Sequence, residues 1–172
     1  YRKTYVVWVP REKGGGLVAI HDAKPEGTTT DPKTRKSFLG DNQIVDTAEH
    51  FVLVNKNGVH EPAVLTMTST NLSVSRKLNT LLKMKKINVK GQTVSPPSFL
   101  YEFNLSTVQA ENDLGRWYKY KIEETGQVKS QDVFKQAQAF ADSVSEGKVK
   151  ASEPVDTEVA DDVGEDSEEA PF

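Results

Sequence analysis

Apolar and β-branched residues recur in short runs along most of the chain, separated by polar turns. Residues 4–9 read as a strand, rich in β-branched and aromatic side chains. A turn with three glycines follows at 10–16, and residues 17–21 read as a second strand, so the two are expected to form a hairpin. Residues 22–40 are polar and lack periodicity, which predicts a mobile loop. Residues 43–46 form a short strand candidate and 51–55 a clearer one. Asn57-Gly58 then supplies two residues that tolerate positive φ, and 62–68 read as the returning strand.

The pattern changes at 70–86, which reads as a helix with Ser69 or Thr70 as N-cap. Residues 91–98 contain two prolines and read as a breaker. Strands are expected at 99–108 and 116–123 about a turn at 111–115. Ser130 is placed to cap a second helix running to about residue 145 and ended by Gly147. Its Val133, Ala137, Phe140, Ala141 and Val144 fall on one face. The expected class is mainly β with helices (α+β): six or seven strands, two helices and several long loops. A helix in the middle of the strand order is compatible with an OB-fold-like barrel. Several other α+β arrangements satisfy the same pattern.

Hydrophobic periodicity stops at 148, which divides the chain into a domain at 1–147 and a tail at 148–172. Glu, Asp, Val, Ala, Ser and Pro dominate the tail, a composition expected to stay disordered because it cannot bury enough surface to offset the entropy of ordering. Charge follows the same division. Nine acids and no Lys or Arg lie in residues 153–172, within a chain of formal charge −3. The other 152 residues carry 22 bases and 16 acids, a net of +6. A basic body with an acidic tail is an asymmetry that suggests a nucleic-acid partner.

The strongest basic cluster is residues 76–90, which hold Arg76, Lys77, Lys83, Lys85, Lys86 and Lys90 and no acid. On a helix, Arg76, Lys83 and Lys86 fall within roughly one third of the circumference, opposite Val74, Leu78, Leu81 and Leu82. Such a stripe repels itself unless an anion neutralises it, and phosphate suits it; a solvated helix face is the competing reading. The run Arg116-Trp117-Tyr118-Lys119-Tyr120-Lys121 interleaves rings with cations. Alternation places Trp117, Lys119 and Lys121 on one face, offering a ring for base stacking beside cations for the backbone. Phe99, Tyr101 and Phe103 form another alternating row, and Tyr5, Trp8 and Phe38 are further ring candidates. Packing in a core is the competing reading for all of these rings. Arg35 and Lys36 in the polar loop complete the set of candidate nucleic-acid contacts.

The chain closes on Gly164-Glu165-Asp166-Ser167-Glu168-Glu169-Ala170-Pro171-Phe172. A terminal ring with its α-carboxylate and adjacent acids makes a compact ligand for an apolar pocket ringed by Lys and Arg. In Asp166, Glu168, Glu169, Pro171 and Phe172 the chain resembles the single-stranded DNA-binding proteins of bacteria and their phages. The resemblance covers about eight residues. It departs from the bacterial proteins in lacking a long Gly/Gln/Pro-rich linker and in the interruption at Ser167. It implies an OB-type body that binds single-stranded DNA and a tail that docks replication, recombination and repair proteins while competing with DNA for the basic surface.

No phosphate-loop, dinucleotide-binding, Gly-x-Ser-x-Gly or His-Glu-x-x-His pattern occurs, and His21, His50 and His60 lack metal-ligand spacing. A non-enzymatic protein without metal or cofactor is therefore expected. No membrane span or signal peptide is visible. The chain lacks cysteine and opens on Tyr1 instead of Met, as expected of a cytoplasmic protein lacking a few upstream residues. If phage-encoded, it belongs in the bacterial host cytoplasm. The leading reading is sequence-tolerant binding of single-stranded DNA. The alternatives are a protein-interaction adaptor and a binder of duplex DNA or RNA.

Overall fold

The computed structural model describes residues 1–113 and 115–149. The elements are β1 (Arg2–Trp8), β2 (Leu17–His21), β3 (Thr29–Thr30), β4 (Ser37–Leu39), β5 (Asn42–Lys56), β6 (Val59–Thr68), α1 (Leu72–Met84), β7 (Ile87–Val89), β8 (Gln92–Val94), β9 (Tyr101–Asn112), β10 (Gly115–Gln127) and α2 (Gln131–Ser145). The class is α+β with strands dominant.

One strand organises the main sheet. β5 pairs antiparallel with β1 over residues 43–49. Its other edge takes β4 at residues 42–44 and then β6 from Thr47 onward. The order β2-β1-β5-β4-β3, with β6 beside β5, makes a six-stranded antiparallel sheet. The OB-fold-like barrel expected from the order of strands and helix is not shown, because no hydrogen-bonded pair joins the end strands β2 and β3 among the described residues.

The short candidates at 43–46 and 51–55 are one fifteen-residue strand. Pairing on both edges at Thr47, Ala48 and Glu49 carries the strand through the polar stretch that had separated the two candidates. Thr47, Ala48, Glu49 and His50 are all buried, so both faces of the sheet are covered there. Val6, Val7, Ile44 and Met67 complete this core. The buried Glu49 carboxylate has Arg2 Nη1 at 3.9 Å.

Local chemistry explains the turns. Asn57 and Gly58 have φ of 54° and 89°, and Lys56 pairs with Val59 across them, a two-residue hairpin of the expected kind. Residues 22–40, expected as a mobile loop, instead contain β3, β4 and a tied hairpin end. Asp31 makes that tie: its carboxylate accepts from the backbone N–H of Lys33 (2.8 Å) and from Thr34 Oγ1 (2.8 Å). Residues 91–98, expected as a breaker, contribute β8, which turns back on β7 through Lys90 and Gly91, both at positive φ.

Both helices differ from or match expectation at their ends. Residues Ser69–Asn71 form a 3-10 turn, so α1 begins at Leu72 with Asn71 preceding it and no side-chain cap. It ends at Met84, which leaves Lys85, Lys86 and Lys90 beyond the helix. For α2, Ser130 Oγ accepts from Val133 N as expected. Gly147 N and Lys148 N donate to Val144 O and Ser143 O, closing a Schellman motif. Ala137 is the buried centre of α2, and Phe134 meets Phe99 edge-on at 5.3 Å. Phe99 lies in the 3-10 turn Ser98–Leu100 and is not in one strand row with Tyr101 and Phe103.

Strands β9 and β10 form a separate two-stranded ribbon, in register from Asn112–Gly115 to Tyr101–Gln127 with an irregularity at Glu124 and Gly126. α1 rests on it: Asn71 Oδ1 accepts from Tyr120 N at 2.8 Å, and Lys85 pairs with Glu124 at 2.6 Å.

Candidate nucleic-acid interface

Residues 62–101 hold six cations and no acid. This stretch spans most of β6, all of α1 and the β7–β8 hairpin. α1 buries the side centred on Ser75 and presents Arg76, Lys77, Thr80, Lys83 and Met84 to solvent. Arg76, Lys77, Lys83 and Lys90 are exposed and make no ion pair among the described residues. Lys86 donates to Ser95 Oγ, while Lys85 is tied to Glu124 and lies over the Tyr101 ring at 5.0 Å. The positive stripe therefore exists, but its content differs from the helical-wheel expectation. Leu81, expected in the buried face, is 39% exposed, and Met84 is 76% exposed. Arg76, Lys77, Thr80, Leu81, Met84 and Lys85 line a shallow depression of about 640 Å³. A cationic rim around exposed apolar atoms can accept a phosphate backbone together with an unstacked base.

The ribbon confirms the expected alternation and changes its meaning. Residues directly opposite share a face, so Trp117, Lys119 and Lys121 lie with Ala110, Val108 and Ser106. Trp117 is half-buried, and its Nε1 is buried with no hydrogen-bond partner among the described residues. The exposed ring is its neighbour Tyr118, at 69%, on the opposite face beside Arg116. Tyr118 stands in the same aromatic run, and alternation alone does not say which face of a ribbon is covered. Arg116 pairs with Glu111 (3.0 Å) and Lys121 with Glu123 (2.8 Å), leaving Lys119 without an ion pair among the described residues. Residues 101–127 carry five acids and three bases, so the ribbon's own charge is −2.

The remaining ring candidates are occupied locally. Tyr5 receives a hydrogen bond from Lys3 Nζ (3.0 Å), and Lys3 also pairs with Asp46 (3.1 Å). Both contacts hold the Lys3 ammonium above its ordinary range, the bond to Tyr5 foremost. Trp8, Phe38, Phe103 and Tyr120 are half-buried. Arg35 and Lys36 sit at the tip of the β3–β4 hairpin, both exposed, with Arg35 at φ 57°. They make no ion pair among the described residues. The Asp31 carboxyl beneath them is held below its usual range, chiefly by the Lys33 N–H. Asp166, Glu168, Glu169, Pro171 and Phe172 lie outside the described residues.

One Ser–His contact occurs in the interior. His50 Nε2 lies 2.9 Å from Ser75 Oγ, and both are buried. Glu49 is the adjacent strand residue and points to the other face, so it does not orient this imidazole. Among the described residues no cluster of three His, Asp or Glu is placed to hold a metal, and no helix is long and apolar enough to cross a membrane.

Fold and surface together define a mainly β, α+β domain with a basic helix face whose Arg76, Lys77 and Lys83 make no ion pair among the described residues. The chain belongs to the Pam3 phage gp34-like protein family, whose model it matches over residues 1–150. That is a phage-related family. No curated protein and no solved structure matches the chain.

Proposed function

We propose that the protein binds single-stranded DNA with little sequence preference, in phage DNA replication, recombination or repair in the host cytoplasm, without catalysing a reaction. The observation that carries the reading is the charge of residues 62–101: six cations, no acid, and four of the cations exposed and without an ion pair among the described residues. Affinity would come from counterion release at Arg76, Lys77, Lys83, Lys86 and Lys90, supplemented by Arg35, Lys36 and Lys119. Exposed Tyr118, Leu81 and Met84 offer surfaces to bases that a duplex keeps stacked, which favours single strands. The reading does not require a closed OB-type barrel. The acidic tail, with Asp166, Glu168, Glu169, Pro171 and Phe172, would recruit partner proteins and compete for the basic surface.

Fluorescence titration of a labelled oligo-dT, its duplex and the matching RNA tests this. Oligo-dT should bind most tightly, with log affinity falling against log salt at a slope of about −3 if four phosphates are contacted. An affinity indifferent to salt overturns the reading. A second reading, a non-catalytic adaptor, draws on exposed Met84 and Leu81 as a protein-docking face. Failure of all three nucleic acids to bind would favour it, and preference for duplex or RNA would redirect the function to those ligands.

A further inference from the structure

The two long edges of the β9–β10 ribbon are not equivalent. Tyr120 N donates to Asn71 Oδ1, so this N–H points away from β9. Tyr120 and its partner Thr107 are therefore a pair that exchanges no hydrogen bonds, and the ladder alternates from there. On β10 the outward groups near Tyr120 meet the 3-10 turn before α1. On β9 the outward N–H and C=O groups belong to Leu105, Thr107 and Gln109, which have no hydrogen-bond partner among the described residues.

This edge lacks the features that discourage pairing. Residues 103–110, Phe-Asn-Leu-Ser-Thr-Val-Gln-Ala, contain no charge, no Pro and no Gly. The register through them is unbroken, and the one irregularity lies beyond, at Glu124 and Gly126. Leu105 is 48% exposed. A two-stranded ribbon is marginal by itself and gains from further strands. The described ties to the α1 region fall on β10, at Tyr120 and Glu124, and at the first residue of β9, Tyr101 under Lys85, so none reaches residues 103–110.

We propose that the β9 edge is a self-association surface, on which β9 of a second copy pairs antiparallel to give a four-stranded sheet across the interface. A closed dimer uses the same patch twice, and two copies of one strand edge related by a two-fold axis run antiparallel. The charge pattern fits a second copy. The uncharged segment can face itself with no like charges opposed, whereas the acids Glu102 and Glu111 lie at its ends. The inference is independent of the DNA reading.

Sedimentation equilibrium of the full chain, with hydrogen exchange, tests it. The wild type should show a monomer–dimer equilibrium, and the amides of Leu105, Thr107 and Gln109 should gain protection as concentration rises. Thr107→Pro removes an outward N–H without breaking a bond to β10, so the fold should persist by circular dichroism while the dimer is lost. A monomeric wild type overturns the proposal. So does a dimer that survives Thr107→Pro, or one in which those three amides exchange equally at all concentrations. If Thr107→Pro unfolds, the concentration dependence of wild-type exchange decides alone.

Discussion

His50 Nε2 and Ser75 Oγ, 2.9 Å apart in the interior, join the middle of β5 to the buried side of α1. The contact lies on the side of α1 that faces the sheet, while Arg76 and Lys77 are exposed. Burial pushes the His50 imidazolium pKa down to about 4, so the ring is neutral in the folded protein at neutral pH.

Stability should therefore fall on acidification in a defined window. Above pH ~6.5 the ring is neutral in both folded and unfolded chains. As pH drops from there toward 4, the unfolded chain takes up a proton that the folded one refuses, and stability declines by about 3 kcal/mol at most. Below about 4 this contribution levels off. Urea midpoints across the window should show a shallower dependence for His50→Gln than for the wild type; parallel curves would show that another group is responsible. Ser75→Ala leaves a buried ring nitrogen without its partner and should cost about 1–3 kcal/mol.

Much of the architecture was legible because its causes are local. Asn57-Gly58 defines its hairpin through backbone tolerance of positive φ, and Ser130 defines the start of α2 through one hydroxyl. Long-range pairing was not legible. Nothing local marks residues 47–50 as strand; β6 pairs with all four, and β1 holds 47–49 from the opposite edge. The basic face was legible as charge, whereas the exposure of Met84 and Leu81 follows from how α1 packs, with Ser75 on its buried side. Trp117 and Tyr118 show the same limit, since alternation separates two faces without saying which one is covered.

Trp117 and Tyr118 should accordingly respond in opposite ways. Trp117→Ala removes a half-buried ring and should lower folding stability by roughly 2 kcal/mol, with near-normal affinity in the folded fraction. Tyr118→Ala should leave the melting temperature unchanged and weaken oligo-dT binding by about 1–3 kcal/mol, the range for one stacked base. An unchanged affinity for Tyr118→Ala would remove the ribbon from the interface.

Arg76→Glu combined with Lys83→Glu should weaken oligo-dT binding without unfolding the protein. Neither side chain makes an ion pair among the described residues, and both are exposed, so stability should move by no more than about 0.5 kcal/mol. Each lost phosphate contact should reduce the salt slope by about 0.7. A double variant with the wild-type slope would show that α1 does not touch phosphate.

Removing residues 153–172 should strengthen oligo-dT binding at low salt and abolish capture of partner proteins. Deletion takes the formal charge from −3 to +6, and on the proposed reading it removes a competitor for Arg76, Lys77 and Lys83. A tethered competitor acts at an effective concentration in the millimolar range, enough for weak contacts to matter. Salt should erase the difference, because exposed charges are screened over about 10 Å at 0.1 M. Partner capture should depend instead on the terminal ring. Deleting Phe172 alone leaves all nine acids in place, so DNA affinity should stay near the full-length value while partners are lost. Equal gains in DNA affinity from the one-residue and the full deletion would refute electrostatic competition. Retention of every partner after Phe172 deletion would show that the likeness of this terminus to the docking tips of single-stranded DNA-binding proteins is coincidental.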